Sequence, residues 1–135
     1  MITSFSDPEV PQGGTLRERV GFEFSVPGGV THTFTFLVLI GTGSTKEAIL
    51  GSHFDPAVFG HHTQIPSGSG SFGTNFDMGV PSDLPTGTYS VLTVICEDFD
   101  GTTITGEWDF KVDANIVTIV KGLDAKITYT IFESI

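Results

Sequence analysis

The sequence predicts an all-β protein that folds as a two-sheet sandwich and ends in an extra C-terminal β-hairpin. Three observations indicate this class. Twelve Phe and seventeen Gly accompany few charged residues, which make up 16% of the chain, and this composition is typical of strands joined by tight turns. Short apolar or alternating runs are separated by turns that contain Gly or Pro. No 3.6-residue period continues beyond a turn or two.

The predicted central strand lies in residues 84–96. Pro85 fixes its own φ and Gly87 tolerates positive φ, so the chain turns at this point. It then extends through the longest β-forming run of the sequence, which is apolar on both faces. A strand of this kind belongs in the middle of a sheet.

The other predicted elements of the first half follow in chain order. Residues 1–6 are expected to form an edge strand, which ends at two prolines. Residues 15–26 alternate between apolar and polar side chains, which predicts a half-buried strand. A hairpin loop leads to a second strand at residues 30–40. Residues 46–50 form a brief element whose type the pattern leaves open.

The second half of the chain begins with residues 51–75, which are predicted to be a long loop because they are rich in Gly, Ser and Pro. A short strand at residues 72–78 ends this segment. Residues 104–112 return as a strand after the central one. Two more β-like runs, residues 114–120 and 125–132, form the predicted hairpin.

The 135 residues fit one domain, with the sandwich in residues 1–112 and the hairpin extension in residues 113–135. The predicted core follows from the period of two on the inner strands. It comprises Phe22, Phe24, Phe34, Phe36, Val38, Tyr89, Val91, Ile95, Trp108 and Phe110.

The charge of the chain restricts its partners. A formal charge of −10 repels phosphate backbones and anionic lipid, so nucleic acid and membrane surfaces are not expected partners. No basic and apolar leader follows Met1, and no run reaches transmembrane length. We therefore expect protein partners, in a homo-oligomer or a larger assembly, on an extracellular surface or a virion.

Two turn motifs carry a family resemblance. They are Pro-Gln-Gly-Gly-Thr-Leu at residues 11–16 and Leu-Pro-Thr-Gly-Thr-Tyr-Ser-Val at residues 84–91. Both resemble turns of immunoglobulin-like and fibronectin-type modules of surface proteins, including the CARDB-type adhesion domain. The second is similar to the tyrosine corner of that family, which implies that Tyr89 bonds back to the backbone just upstream. The resemblance covers about residues 1–112 and implies an immunoglobulin-like sandwich with a structural or adhesive role.

No catalytic, cofactor-binding or metal-binding residue is predicted. The four histidines, His32, His53, His61 and His62, do not have the spacing of a zinc motif. Residues 97–101 begin like a calcium loop but lack the terminal bidentate Glu, so a plain turn is expected. The expected protein is not an enzyme. The alternatives are a carbohydrate-binding module and, less favoured, a small metal-dependent hydrolase.

The phase of the inner strands predicts an interaction surface. If the odd-numbered residues of the central strand and the even-numbered residues of the preceding one face the core, an apolar stripe lies outside the sandwich. We expect the C-terminal hairpin, from a neighbouring subunit rather than the same chain, to cover it. The predicted surface comprises Leu37, Leu39, Leu92, Val94, Ile116, Ile119, Ile127, Tyr129 and Ile131.

Overall fold

A computed structural model describes residues 8–26, 28, 32–54, 58–65, 68–122 and 125–135. Within these ranges the chain forms nine strands and one helix. In chain order they are β1 (Glu9–Pro11), β2 (Thr15–Val26), β3 (His32–Gly41), α1 (Lys46–Ser52), β4 (Val58–Ile65), β5 (Gly68–Gly79), β6 (Gly87–Cys96), β7 (Asp98–Phe99), β8 (Ile104–Thr105) and β9 (Asp109–Val120). The predicted edge strand at residues 1–6 lies outside the described residues.

The larger sheet contains five strands in the order β1-β9-β6-β3-β4. The central position of β6 confirms the prediction, since it pairs antiparallel with β3 on one side and with β9 on the other. β1 runs parallel to β9 and pairs with residues 118–120. β6 pairs with residues 118 and 119 from the other side. The end of β9 therefore has a neighbour on both edges.

The predicted C-terminal hairpin does not form. Residues 114–120 belong to the second half of β9, and residues 125–135 lie outside any helix or strand. Because β1 and β6 occupy both edges of β9 at its end, the segment that follows has no free edge for a tight hairpin there.

The second sheet consists of β2 and β5, which pair antiparallel along their whole length from Thr15–Gly79 to Val26–Gly68. The bounds of β2 are those that the alternation predicts. The loop predicted at residues 51–75 is wrong for residues 58–65 and 68–71, which form β4 and the first part of β5, and the strand predicted at residues 72–78 lies within β5. A Cβ atom at Gly70 would lie 2.9 Å from the ring of Phe24, so this glycine gives the ring room to pack on the neighbouring strand.

The two sheets pack face to face around one apolar core, and the protein is an all-β sandwich. Phe22 of β2 and Phe36 of β3 meet between the sheets, with their ring centroids 4.3 Å apart. The predicted core is confirmed for its buried members, which are Phe22, Phe34, Phe36, Val38 and Val91. Three other predicted members are partly buried against this core, namely Phe24, Tyr89 and Ile95.

The predicted phase of β9 is wrong near its start. Asp109 and Lys111 lie directly opposite Ile95 and Thr93 of β6, which face the second sheet. Opposed residues of neighbouring strands share a face, so the inward positions here carry charged side chains. Phe110 lies opposite Val94 on the other face of the sheet and is 42% exposed.

A second apolar layer covers the outer face of β3 and β6. α1 begins after Thr45, whose Oγ1 accepts a hydrogen bond of 3.1 Å from the backbone N–H of Ala48, as an N-cap does. The helix buries Ile49 against the sheet, and Phe99 of β7 is buried in the same cluster. Ile104 of β8 packs against it. The protein is thus a sandwich with a partial third layer.

The hydrogen bond expected from Tyr89 is present. Its hydroxyl donates to the carbonyl oxygen of Pro85 at 2.7 Å. This bond joins the start of β6 to the turn before it.

Candidate interaction surfaces

The predicted outer stripe is not an open surface. Leu37, Leu39, Leu92 and Val94 are all 0% exposed, because α1 and β7 lie over them. The expectation that a C-terminal hairpin or a neighbouring subunit covers this face is therefore corrected. Residues 46–52 and 98–99 of the same chain bury it instead.

The remaining predicted interaction residues separate into two groups. Ile119 is buried in the core between the sheets, and Ile116 is partly buried against that core. Ile127, Tyr129 and Ile131 are 83%, 76% and 71% exposed. Only these last three residues of the predicted set form an accessible apolar row.

We call residues 125–135 the C-terminal segment. Every one of its residues is exposed. Its apolar side chains at positions 127, 129 and 131 alternate with Thr128 and Thr130, which is the pattern of a strand with one apolar face. Phe132 adds a fourth large exposed side chain. Soluble proteins rarely leave such a set uncovered, so the segment is a candidate contact surface.

A groove opens between the two sheets, beside the outer edge of β2. It has a volume of about 940 Å³ and extends along residues 18–23 of β2. Its other wall is the start of β9, and Thr93 and Ile95 of β6 line its floor. We call this opening the β2–β9 groove. Among the described residues the second sheet has two strands, and the groove lies where neither of them covers the start of β9.

Charged side chains dominate the middle of the β2–β9 groove. Glu18 accepts hydrogen bonds of 2.8 and 3.0 Å from the hydroxyl of Thr93 through its two carboxylate oxygens. Burial raises the pKa of Glu18, and the hydrogen bond from Thr93 opposes this shift. Lys111 and Asp113 form an ion pair of 3.3 Å on the opposite wall. The groove therefore holds both signs of charge.

The region next to the groove is aromatic. Trp108, predicted to be in the core, is 47% exposed, and its ring meets that of Phe34 edge to face, with the centroids 4.7 Å apart. A smaller pocket of about 240 Å³ lies beside it and shares Phe22, Glu23, Ile95 and Asp109 with the groove. This smaller pocket combines an accessible indole with two carboxylates.

The histidines do not form a metal site among the described residues. No group of three or more His, Cys, Asp or Glu side chains there is placed to hold an ion. His53 lies against Phe99, with ring centroids 6.3 Å apart, and its buried Nδ1 has no hydrogen-bond partner within the described ranges. His61 and His62 lie in β4, but their side chains, like that of His32, are outside the described part of the chain.

Residues 97–101, which begin like a calcium loop, form a turn that uses its own carboxylate. The Oδ1 atom of Asp100 accepts hydrogen bonds from the backbone N–H groups of Thr102 and Thr103, at 2.9 and 2.7 Å. These bonds lower the pKa of Asp100, with the bond from Thr103 having the largest effect. Gly101 supplies the positive φ, 106°. This is the geometry of the predicted plain turn.

Cys96 is fully buried beneath the outer layer. Its Sγ lies 3.5 Å from the carbonyl oxygen of Asp98, to which it donates. Burial raises the pKa of the thiol to about 11. The thiolate, which is the reactive form, is therefore scarce at neutral pH.

Comparisons with known proteins do not assign this chain to a family. No protein-family model and no curated protein matches its sequence. Among the described residues, none of the helical structure has the length and apolar character that crossing a bilayer requires.

Proposed function

We propose that the protein is a non-catalytic structural or adhesive module, which assembles with copies of itself or with other protein chains through its C-terminal segment. The observation that carries this proposal is the exposed row of Ile127, Tyr129 and Ile131. A segment with this pattern gains stability when it adds as a strand to a sheet edge and buries its apolar face.

The strand order supports an immunoglobulin-like form of the sandwich. In that fold, strands C, F and G are neighbours in one sheet, strands B and E lie in the other, and variable-type domains add C′ beside C. Here β3, β6 and β9 take the positions of C, F and G, β4 that of C′, and β2 and β5 those of B and E. The Tyr89 hydrogen bond has the geometry of a tyrosine corner. Modules of this kind build virion and extracellular surfaces, which is the location we propose.

Solution mass tests the assembly. We expect the full-length protein to form a homo-oligomer in analytical ultracentrifugation, at concentrations of about 1–100 μM. A triple variant with Ile127→Ser, Tyr129→Ser and Ile131→Ser is expected to sediment as a monomer. Because the three side chains are exposed, the variant should keep the melting temperature of the parent monomer.

The matched control changes the other face of the same segment. A variant with Lys126→Ser, Thr128→Ser and Thr130→Ser introduces the same number of serines but keeps the apolar row. It should assemble like the parent protein. A full-length protein that stays monomeric throughout the concentration range, and does not bind other chains of its source, would contradict the proposal.

A carbohydrate-binding function is the second candidate, and the exposure of Trp108 favours it. Sugar rings stack on accessible indoles, and carboxylates such as those of Glu23 and Asp109 beside it bind sugar hydroxyls. Trp108 is the only tryptophan of the chain, so its fluorescence reports on the smaller pocket that it lines. Titration with a panel of oligosaccharides should change that fluorescence if the function is correct. The absence of any change up to about 10 mM sugar would reject it.

A further inference from the structure

We propose that the smaller pocket binds a guanidinium group, the head of an arginine side chain on a protein partner. The residues that line this pocket belong to β2, β3 and β6, together with Trp108 and Asp109 at the start of β9. This lining does not include the C-terminal segment. The proposal therefore goes beyond the assembly function and does not depend on it.

The aromatic part of the smaller pocket is held in place. Trp108 donates its backbone N–H to the carbonyl oxygen of Ile95 at 2.9 Å, and its ring meets that of Phe34 edge to face. With these contacts made, 47% of Trp108 is still exposed. Among aromatic side chains, the indole attracts cations most strongly through its ring face. A fixed and accessible indole therefore favours a cationic ligand. The other aromatic side chains of the lining are Phe22, Phe24, Phe34 and Phe36.

The charged lining of the smaller pocket is negative. Glu23 and Asp109 both line it and are both exposed. The Oδ1 atom of Asp109 accepts a hydrogen bond of 2.9 Å from the backbone N–H of Phe110, which orients the carboxylate. The two cations that line the adjoining groove, Arg19 and Lys111, are not among the described residues that line this pocket. Since the whole chain also carries a formal charge of −10, the electrostatic field at the pocket attracts a cation.

The size of the smaller pocket suits one planar group. Its volume of about 240 Å³ is below the ~300–1,000 Å³ of pockets that enclose drug-sized ligands. A guanidinium group is planar, always charged and weakly hydrated. It stacks on aromatic rings and pairs with carboxylates through parallel hydrogen bonds. An ammonium group is more strongly hydrated, and a neutral sugar gains no Coulomb attraction from the two carboxylates. The pocket therefore favours guanidinium over both.

The chain holds one of its own cations by the same combination of groups. The ammonium group of Lys46 lies 4.6 Å from the ring centroid of Phe110 and 2.9 Å from the carboxylate of Glu107. At that place α1 supplies the cation. An aromatic ring and a carboxylate thus act together on a cation within this fold. The smaller pocket offers the same two kinds of group to a cation from another molecule.

A protein partner is the source of the guanidinium group. Arg and Trp are among the residues that most often dominate the binding energy of protein interfaces. A partner whose arginine lies in a positive patch is also steered toward this acidic chain, which raises the rate of association. A free small cation gains only the contacts of its own head group.

Titration of the full-length protein tests the chemistry of the ligand. Because Trp108 is the only tryptophan, its fluorescence follows binding to the smaller pocket. N-acetyl-arginine amide should change this fluorescence to saturation, with a Kd on the order of 1 mM. N-acetyl-lysine amide should bind at least ~threefold more weakly, because its ammonium group is more strongly hydrated. N-acetyl-citrulline amide has nearly the same shape without the charge, so it should give no change up to about 10 mM.

Charge-neutralising variants locate the site. Asp109→Asn and Glu23→Gln should each raise the Kd for N-acetyl-arginine amide at least ~threefold, because each removes one carboxylate from the lining. Asp83→Asn is the matched control. It makes the same change in net charge at an exposed position before β6, beyond the other end of that strand from Ile95, and it should leave the Kd unchanged. All three side chains are exposed, so the variants should keep the melting temperature of the parent protein.

A peptide distinguishes a protein partner from a small molecule. The tripeptide Ala-Arg-Ala with blocked ends should bind at least as tightly as free arginine. Tighter binding of free arginine would assign the site to a small molecule and overturn the assignment to a protein partner.

The remaining outcomes separate this proposal from the functions proposed above. No fluorescence change with N-acetyl-arginine amide up to about 10 mM, an equal response to the citrulline derivative, or a response to oligosaccharides alone would overturn it. An equal loss of binding in Asp83→Asn would do the same. The triple variant with Ile127→Ser, Tyr129→Ser and Ile131→Ser should bind N-acetyl-arginine amide like the parent protein. The assembly function can therefore fail without changing this result.

Discussion

Asn115 places its backbone N–H 2.9 Å from the buried hydroxyl oxygen of Ser90, to which it donates a hydrogen bond. Asn115 has a φ of 52°, a left-handed conformation that Asn tolerates better than most residues. The pairing of β6 and β9 shifts register at this point, between Tyr89 and Val91. The hydroxyl of Ser90 also donates to the carbonyl oxygen of Gly43. The Ser90 side chain thus forms hydrogen bonds with two backbone groups at the point where the pairing of β6 and β9 shifts register.

Removing this hydroxyl should destabilise the protein. Ser90→Ala removes the hydrogen bonds to the N–H of Asn115 and the carbonyl oxygen of Gly43 at a partly buried place, which costs about 0.5–1.5 kcal/mol for each bond. Urea denaturation measures the loss in the free energy of unfolding. Ser71→Ala, at an exposed position of β5, is the control and should change stability by less than about 0.5 kcal/mol. Equal effects of the two substitutions would show that the Ser90 bonds do not stabilise the fold.

Two Phe→Ala substitutions compare the core with the surface. Phe36 is 1% exposed, and truncation should cost about 3–5 kcal/mol through lost burial and the cavity left behind. Phe110 is 42% exposed and lies under the ammonium group of Lys46, which is 4.6 Å from its ring centroid. Its truncation should cost about 1 kcal/mol. Thermal and urea unfolding of both variants measure the difference, and similar losses would contradict the placement of Phe110 outside the core.

Alternation predicted β2 correctly because every second residue of that strand faces the core. It failed for the first part of β5, residues 68–71, because Gly and Ser have no apolar side chain that could produce an alternating pattern. The strand at residues 68–79 is specified by its partner, since Phe24 packs on the position of Gly70. Propensity cannot detect a strand whose apolar surface is supplied by its neighbour.

The sequence also could not predict the groove. Phe110 was expected to face the core, whereas Asp109 and Lys111 take the inward positions opposite Ile95 and Thr93. Alternation indicated the apolar row at residues 127–131 as part of a hairpin, but no local signal indicates the parallel pairing of β1 with β9, which leaves no free edge for that hairpin. The outer layer was not predicted, because Phe99, which is buried in it, lies in residues that were assigned to a turn.

The thiol of Cys96 should be unreactive in the folded protein. Burial and a pKa of about 11 leave little thiolate at pH 8, so modification by iodoacetamide should be slower than that of a free cysteine by at least ~100-fold. Mass spectrometry of quenched samples follows the reaction. In about 6 M guanidinium chloride the rate should rise to that of an unfolded peptide. Rapid modification of the native protein would show that α1 opens often.

The stability of the protein should depend on the ionisation of Glu18. Burial raises its folded-state pKa above the unfolded value, so folding favours the protonated form. The stabilising contribution of this group is complete below the unfolded pKa and is lost as pH rises through the folded pKa. Glu18→Gln keeps an oxygen that accepts from Thr93 and removes this pH dependence.

Unfolding free energies measured between about pH 4 and pH 7 test this prediction. The parent protein should lose stability relative to Glu18→Gln as pH rises through the folded-state pKa of Glu18. Glu23→Gln removes the same charge from an exposed side chain of the same strand and controls for net charge. If the parent and Glu18→Gln curves stay parallel, Glu18 does not titrate differently in the folded state.

The partial third layer determines which part of the protein unfolds first. β3 and β6 lie between two apolar layers, so their amides should exchange with deuterium only when the whole domain unfolds. α1 is short and is held by few buried side chains, which places the outer layer among the first parts to open. Once open, it uncovers Leu37, Leu39, Leu92 and Val94 as a flat apolar sheet surface. Such an intermediate promotes aggregation. The resistance of the folded protein to aggregation therefore depends on a helix of seven residues.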